Sequence, residues 1–557
     1  MKYIYRFLLS TLIIFICNPV WAEDFKIVSF KGMVETSVDQ KLWNIVTEGQ
    51  LVETGIWIRT GPKASATILL PNRTQTKISR NAEFQLNYQA KQTQVNLKVG
   101  KIWSKTNKKP AKITVKAPNA VASIRGTEWI VEVSEDSSST LAVLEGSISV
   151  AGKEGQPKEI DNGQIANISS NGKISVNKLL NPDNYLQFIF RYEVEPFAYA
   201  PKSVGEKIDK ISLLTVTDPA QRTTSCQLDD AVSPKQFLSS VENRDPSCLV
   251  KINPNLLPEG KWKVWAKLIK ADANFALGDI EAGTRTLGTI PESSGKLYVE
   301  AKFEFSNGNY DLAINKLLEG VKEADVKASF YSLLGEIEQA KGNPSLALNY
   351  FIKANEFDPY WQKPLLKISQ IEIAKSNYDL ALTALKLAEK IGGKTNSLAS
   401  GKAQYFSYRY QLEAAREQAT LVLQTDPNEF DMLVALGIVE LKAGNHQEAL
   451  DYFAQALAIE PNYSKAYVFM AVAHLHANEI EQAIIQLERA IKLDDKDPLP
   501  HVVASQIFSS QLNTGKAIFH AKEAIGRTTD ETTWGQLAND QQGGANVGRR
   551  FLEVGLP

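Results

Sequence analysis

From residue 294 to residue 527, small side chains return at a fixed interval of 34 positions. Ala313, Ala347, Ala381, Ala415, Ala449, Ala483 and Ala517 form one lattice. A second lies twelve positions before it, at Ala301, Gly335, Ser369, Ala403, Gly437, Ala471 and Ser505. A third lies seven positions after it, at Gly320, Ala354, Ala388, Val422, Ala456, Ala490 and Ala524. This period, with small residues at fixed phases, predicts stacked helical hairpins whose backbones approach closely at those points. In 328–361 the paired helices are separated by Gly342-Asn343, and Pro359 marks the exit. Proline stops a helix because it lacks the donor N–H and crowds the preceding turn. Residues 430–463 repeat the pattern with Gly444-Asn445 and Pro461. Such a stack buries its core between neighbours and leaves a long curved surface for partners.

Residues 25–176 carry a different period. Short alternating runs, such as Val95-Asn96-Leu97-Lys98-Val99 and Trp129-Ile130-Val131-Glu132-Val133, are punctuated by Gly, Pro, Asn and Asp. That pattern predicts an all-β domain, either a sandwich or a short coil of strands. Trp103 and Trp129 lie on alternating strands, which favours core packing over a stacking platform for sugar. Residues 179–262 are mixed in character and are read as a connector, with Trp262-Lys263-Val264-Trp265 entering either a strand or the first helix.

The helical half resembles the tetratricopeptide repeat family, with seven units in 294–527 and a degenerate unit before them at Gly278-Asp279 and Gly283. The β half resembles the FecR-type domain. The residues that carry this likeness are Gly32, Trp43, Gly49, Val99-Gly100-Lys101-Ile102-Trp103, Ala117-Pro118, Ile124-Arg125-Gly126-Thr127, Leu144-Glu145-Gly146 and Gly163-Gln164. In the namesake regulators the domain is periplasmic, behind a membrane anchor and a cytoplasmic anti-sigma segment. Here six residues precede the first apolar run, so the likeness covers the domain and not that segment.

The repeat resemblance implies that helix A positions 2, 5, 9 and 12 line a concave groove. It is polar early, at Ser329, Ser332, Glu336 and Gln339, and aliphatic late. The aliphatic part comprises Val434, Ile438, Leu441, Val468, Val472 and Leu475. An exposed aliphatic groove implies an occupant, either an apolar segment of a protein partner or the chain's own tail, 528–557.

The first residues, MKYIYRFLLSTLIIFICNPVWA, read as a cleaved secretory signal over 1–22. Lys2 and Arg6 precede an apolar run of eleven residues, too short to span a bilayer. The expected domains are therefore the signal (1–22), a FecR-like β domain (23–178), a connector (179–262), a solenoid (263–527) and a tail (528–557). The expected location is periplasmic, free or associated with the outer membrane, with no transmembrane span after cleavage. The tail resembles a link that runs on into further β structure in larger proteins of this kind. In an oxidising compartment Cys226 and Cys248 are expected to pair, contributing about 3 kcal/mol on the loop-entropy model.

Formal net charge is −1, but it is unevenly spread. Thirteen Lys or Arg and one acid, Glu83, lie between Arg59 and Lys116. Lys91, Lys98, Lys101, Lys105, Lys108, Lys109, Lys112 and Lys116, with Arg125, would attract a polyanion if they shared a face. In that compartment this means lipid headgroups or an anionic envelope polymer, not nucleic acid. No phosphate loop, nucleophile elbow or metal-ligand spacing is present, so no catalytic, cofactor or metal residue is assigned. The expected function is a non-enzymatic envelope scaffold. An envelope sensor related to FecR regulators is the alternative, and an enzyme acting on cell-wall glycan is the third.

Overall fold

The computed structural model describes residues 24–527, apart from 90–91, 107–111, 125–127, 154–155, 181–185, 187–188, 190–191, 206–236, 239–240, 243–244, 258, 425 and 427–428. The expected signal, the tail, Lys91, Lys108, Lys109, Arg125 and Cys226 lie outside the described residues.

Alternation in the amino-terminal third becomes two sheets that share one long strand, β9 (Gln92–Lys105). The first sheet runs β4 (Leu51–Val52), β1 (Phe25–Lys31), β6 (Ser65–Leu69), β7 (Gln75–Ile78), the second half of β9, β12 (Glu128–Val133), β13 (Ser139–Glu145), β16 (Gln164–Ile168) and β17 (Ile174–Lys178). The second runs β3 (Asn44–Ile45), β2 (Val34–Ser37), β5 (Trp57–Thr60), β8 (Glu83–Asn87), the first half of β9, β10 (Lys112–Ala117), β11 (Ala120–Ile124), β14 (Ser147–Gly152) and β15 (Lys158–Asp161). Pairing is antiparallel except between β9 and β10.

Strand β9 passes from one sheet to the other at Gly100, whose φ is +100°. A side chain there would also place its Cβ 2.4 Å from Ala82, so only glycine fits the corner. Alternate residues of both sheets, among them Ile58, Phe84, Leu97, Trp129, Val131 and Val143, meet in one apolar core. Of the two arrangements the pattern left open, the chain forms the sandwich.

The 34-residue lattice becomes a solenoid of sixteen helices. They pair as α1 (Lys261–Ala276) with α2 (Ile280–Gly288), α3 (Ser294–Ser306) with α4 (Tyr310–Gly320), α5 (Lys327–Ala340) with α6 (Pro344–Phe357), and α7 (Gln362–Ala374) with α8 (Tyr378–Gly392). The series continues with α9 (Asn396–Tyr408) and α10 (Leu412–Leu423), then α11 (Phe430–Ala443) and α12 (His446–Ile459). It ends with α13 (Ser464–His476) and α14 (Ile480–Leu493), then α15 (Leu499–Ser510) and α16 (Thr514–Arg527). All seven lattice alanines are fully buried. At Gly335 and Gly437 a Cβ would lie 2.7 and 2.4 Å from the rings of Phe351 and Phe453. The aromatic ring of each second helix therefore occupies the space that its partner helix leaves. Trp262 and Trp265 open the first helix and pack against Phe237 of the connector.

The β domain seats on this solenoid at two separated places. Lys31 donates to the carbonyl of Ala276, and Arg80 pairs with Asp279, both at the α1–α2 turn. At the other place Lys26 reaches Gln455, Arg73 reaches Asp451 and Gln447, and Arg489 of α14 donates to the carbonyl of Thr106. Lys77 donates to the carbonyls of both Ile459 and Ile189, so one ammonium joins the β domain, α12 and the connector.

Candidate partner-binding cavity

The connector enters the concave side of the first repeats as an extended stretch followed by a buried 3-10 turn, Pro196–Tyr199. Its contacts resemble those of a bound peptide, with side chains anchored in polar pockets and backbone carbonyls taken up by the groove. Tyr192 and Tyr199 donate to the Asp272 carboxylate at 2.7 and 3.0 Å, and Lys302 lies 3.0 Å from both its oxygens. The Trp265 indole donates to the carbonyl of Pro196, and the Ser329 hydroxyl to that of Ala198. Burial, reinforced by Asp272, raises both tyrosine hydroxyls well above their usual pKa.

Glu195 closes this arrangement. Its carboxylate lies 2.9 Å from Lys363, which also reaches Glu336 at 2.8 Å. Burial alone would depress the Lys363 ammonium, but the two carboxylates hold its pKa above the usual lysine range. The early, polar part of the groove is thus filled by the chain's own connector. Ser329, Ser332 and Glu336 are partners of that segment or of one another.

Around Lys363, and continuing along the later repeats, the concave side forms a half-open cavity of about 2170 Å³ to which the connector residues Glu195 and Phe197 also contribute. Trp361, Tyr408, Phe430, Tyr463 and Phe469 supply aromatic walls, and Gln370 and Gln404 project from equivalent positions of successive first helices. The cavity is closed on one side because the solenoid curves back on itself. Lys496, after α14, donates to the carbonyl of Lys341 at the α5–α6 turn.

Of the aliphatic residues expected to line the groove, Val434 and Ile438 border this cavity, but both are buried members of the helix core cluster and expose only their edges to it. Val468 is fully buried in the core cluster between neighbouring helices, and Leu441, Val472 and Leu475 pack partly buried against that cluster. The sequence rule placed the groove on the right helices. It could not register the curvature that turns the α13 positions into packing contacts. The aromatic wall was missed, because Trp361 and Tyr463 precede their helices and belong to no helix A position.

The lysine run is divided by the sandwich corner. Lys98 lies on the second sheet, where it bridges Glu83. Lys101 and Lys105 lie past Gly100 on the first sheet, paired with Glu132 and Glu128. Lys105 is buried against the solenoid, 5.3 Å above the Tyr467 ring. Lys112 stands on β10, and Lys116 is exposed near its end. The described lysines therefore do not form one continuous basic face. Trp103 and Trp129 are both buried.

Cys248 is buried in the connector's core cluster and is disulfide-bonded. His474 pairs with Glu479, and His501 with His520. No described group of three or more His, Cys, Asp or Glu is placed to hold a metal ion. No described helix is long and apolar enough to cross a membrane.

Comparison with known proteins places these parts. The FecR protein family profile matches residues 57–149, and tetratricopeptide repeat profiles match 401–464 and 440–507. BBSome complex member BBS4 of Bos taurus is 22% identical over 192 residues, 34% of this chain. The chain spans 37% of the length of that curated relative. Among solved structures, a tetratricopeptide repeat protein from Parabacteroides merdae is 13% identical, over 47% of this chain and 99% of its own, with a TM-score of 0.33. A protein assigned as an anti-sigma factor from Parabacteroides distasonis is 15% identical, over 25% of this chain and 69% of its own, with a TM-score of 0.22. Both recognised parts serve protein interaction or regulation in their families. The chain thus carries a FecR domain at residues 57–149 and tetratricopeptide repeats at residues 401–507.

Proposed function

We propose that this protein is a non-enzymatic scaffold of the cell envelope, exported to the periplasm. In this reading the solenoid cavity holds a segment of a protein partner, and the β domain contacts an anionic envelope component. One observation carries it: an aromatic-lined cavity of about 2170 Å³ continues directly from a groove already filled by a peptide-like stretch of the same chain. The contacts around Glu195, Pro196 and Ala198 are a template for that partner. An extended chain would present carbonyls to hydroxyl, amide and indole donors and place apolar side chains near Val434, Ile438 and Phe469.

A photo-crosslinking residue at Gln370 or Gln404, introduced in the whole protein in cells, tests this. Capture of a specific envelope protein, lost when Val434 and Ile438 become alanine in protein that still melts cooperatively, supports the scaffold. Labelling with no captured protein at either position sinks it.

The FecR match favours one other reading, an envelope sensor that passes a signal across a membrane. That role needs a retained anchor. A mature terminus at Glu23 excludes it.

A further inference from the structure

The outward faces of the two sheets differ. On the first sheet Gln75, Lys77 and Lys105 are buried where the solenoid and connector sit. On the second, alternate side chains remain half-exposed. Trp57, Gln85, Asn96 and Lys116 are successive cross-strand partners on β5, β8, β9 and β10. At about 4.8 Å per strand this row spans about 14 Å.

Its centre is a chain of side-chain amides. Gln94 donates to Asn96 at 2.9 Å, and Asn96 donates to Gln85 at 2.8 Å. Gln85 also accepts from Asn87 and donates to the carbonyl of Gly55 at 2.7 Å. Each amide is thereby fixed in orientation while keeping hydrogen-bonding capacity to spare. The ends of the row are aromatic and cationic. Lys98 lies 4.7 Å above the Trp57 ring, Arg59 lies 4.1 Å above that of Trp43, and Lys116 has no ion pair among the described residues.

We propose that this face binds a glycan strand of acetamido sugars bearing carboxylates. A flat amide row offers paired donors and acceptors to acetamide and hydroxyl groups. Its carboxylates, Glu35 and Glu83, are already neutralised by Arg59 and Lys98. Within the row of four the excess charge is the Lys116 cation, with Lys112 four positions earlier on β10, and it complements a ligand carboxylate. A phosphate-rich lipid surface would instead call for a cluster of free cations, whereas among the described residues of this face Arg59 and Lys98 are already paired with carboxylates. The inference rests on the envelope setting proposed above and names the site and ligand class for the β domain.

Protein-free peptidoglycan sacculi and a chitin oligosaccharide are the probes, used with the whole mature protein. Co-sedimentation with sacculi is expected, weakened at least tenfold by Gln85→Ala with Asn96→Ala and also by Lys116→Glu. Both changes are at the surface, and an unchanged melting curve establishes that they fold. Measurable binding of the uncharged oligosaccharide, insensitive to Lys116→Glu, assigns the amide row to the acetamido groups. Absence of wild-type co-sedimentation, or retention unaffected by both variants, overturns the proposal. Partner capture at Gln370 or Gln404 is read separately, so loss of glycan binding alone leaves the scaffold standing.

Discussion

The Lys363 ammonium lies between two carboxylates, 2.9 Å from Glu195 on the connector and 2.8 Å from Glu336 on the preceding repeat. One side chain thus ties the strand-to-solenoid link to the wall of the cavity. Replacing it leaves two carboxylates facing each other where the groove narrows. Lys363→Met is expected to cost about 2 kcal/mol, the order found for hydrogen bonds to charged groups. Its partial exposure keeps the loss below that of a fully buried pair. A lower melting temperature, with partial recovery in Lys363→Met combined with Glu195→Gln, is the expected readout. An unchanged melt contradicts the bridge.

Lys77 supplies a pH dependence. It is buried, and desolvation lowers its pKa to about 7, the nearby Glu460 carboxylate offsetting only part of that effect. In the unfolded chain it titrates near 10.5. Between those values the unfolded state binds more protons, so stability rises with pH. The contribution is complete above about 10.5, declines as pH falls towards 7, and is constant below that. Melting curves from pH 6 to 10 should show this rise in the native protein and a flatter profile in Lys77→Met. Parallel profiles would remove Lys77 as the source.

The small-residue lattice predicts steric intolerance. Gly437→Val would drive a branched side chain into the Phe453 ring, and overpacking of this kind costs about 1–3 kcal/mol. Phe453→Leu should lessen the penalty of Gly437→Val, although it is itself destabilising. A double-mutant cycle by thermal melting measures the coupling, and strict additivity would contradict the contact.

The bond at Cys248 predicts that alkylation without reductant labels neither Cys226 nor Cys248 in the exported protein. Cys248→Ser is expected to cost about 3 kcal/mol if the loop between them is closed. Free thiol at both positions, found by peptide mapping, refutes the pairing.

The parts most legible in the sequence are those governed by local period. The lattice from Ala313 to Ala517 specifies close helix approach, and every member is buried. Alternation likewise accounts for Trp129 in the sandwich core, whereas Trp103 points out of the first sheet and is buried by Leu179 and Ile189 of the connector. What the sequence conceals is set by superhelical curvature and by contacts between distant segments. Arg489 meets Thr106 across 383 positions, and Tyr192 meets Asp272 across 80. No periodicity marks such pairs. The lysines of β9 were misleading for a specific reason: the left-handed backbone at Gly100 sends Lys98 to one sheet and Lys101 to the other.

The meeting of Lys496 with the α5–α6 turn has an evolutionary consequence. An open solenoid can gain or lose a unit by duplication and merely become longer or shorter. Here one extra hairpin between Gly342 and Lys496 would carry that closing contact a whole repeat out of register and leave the cavity gaping. In this chain the number of repeats within the arc is therefore tied to the closing contact, whereas units added outside it would leave that contact in place.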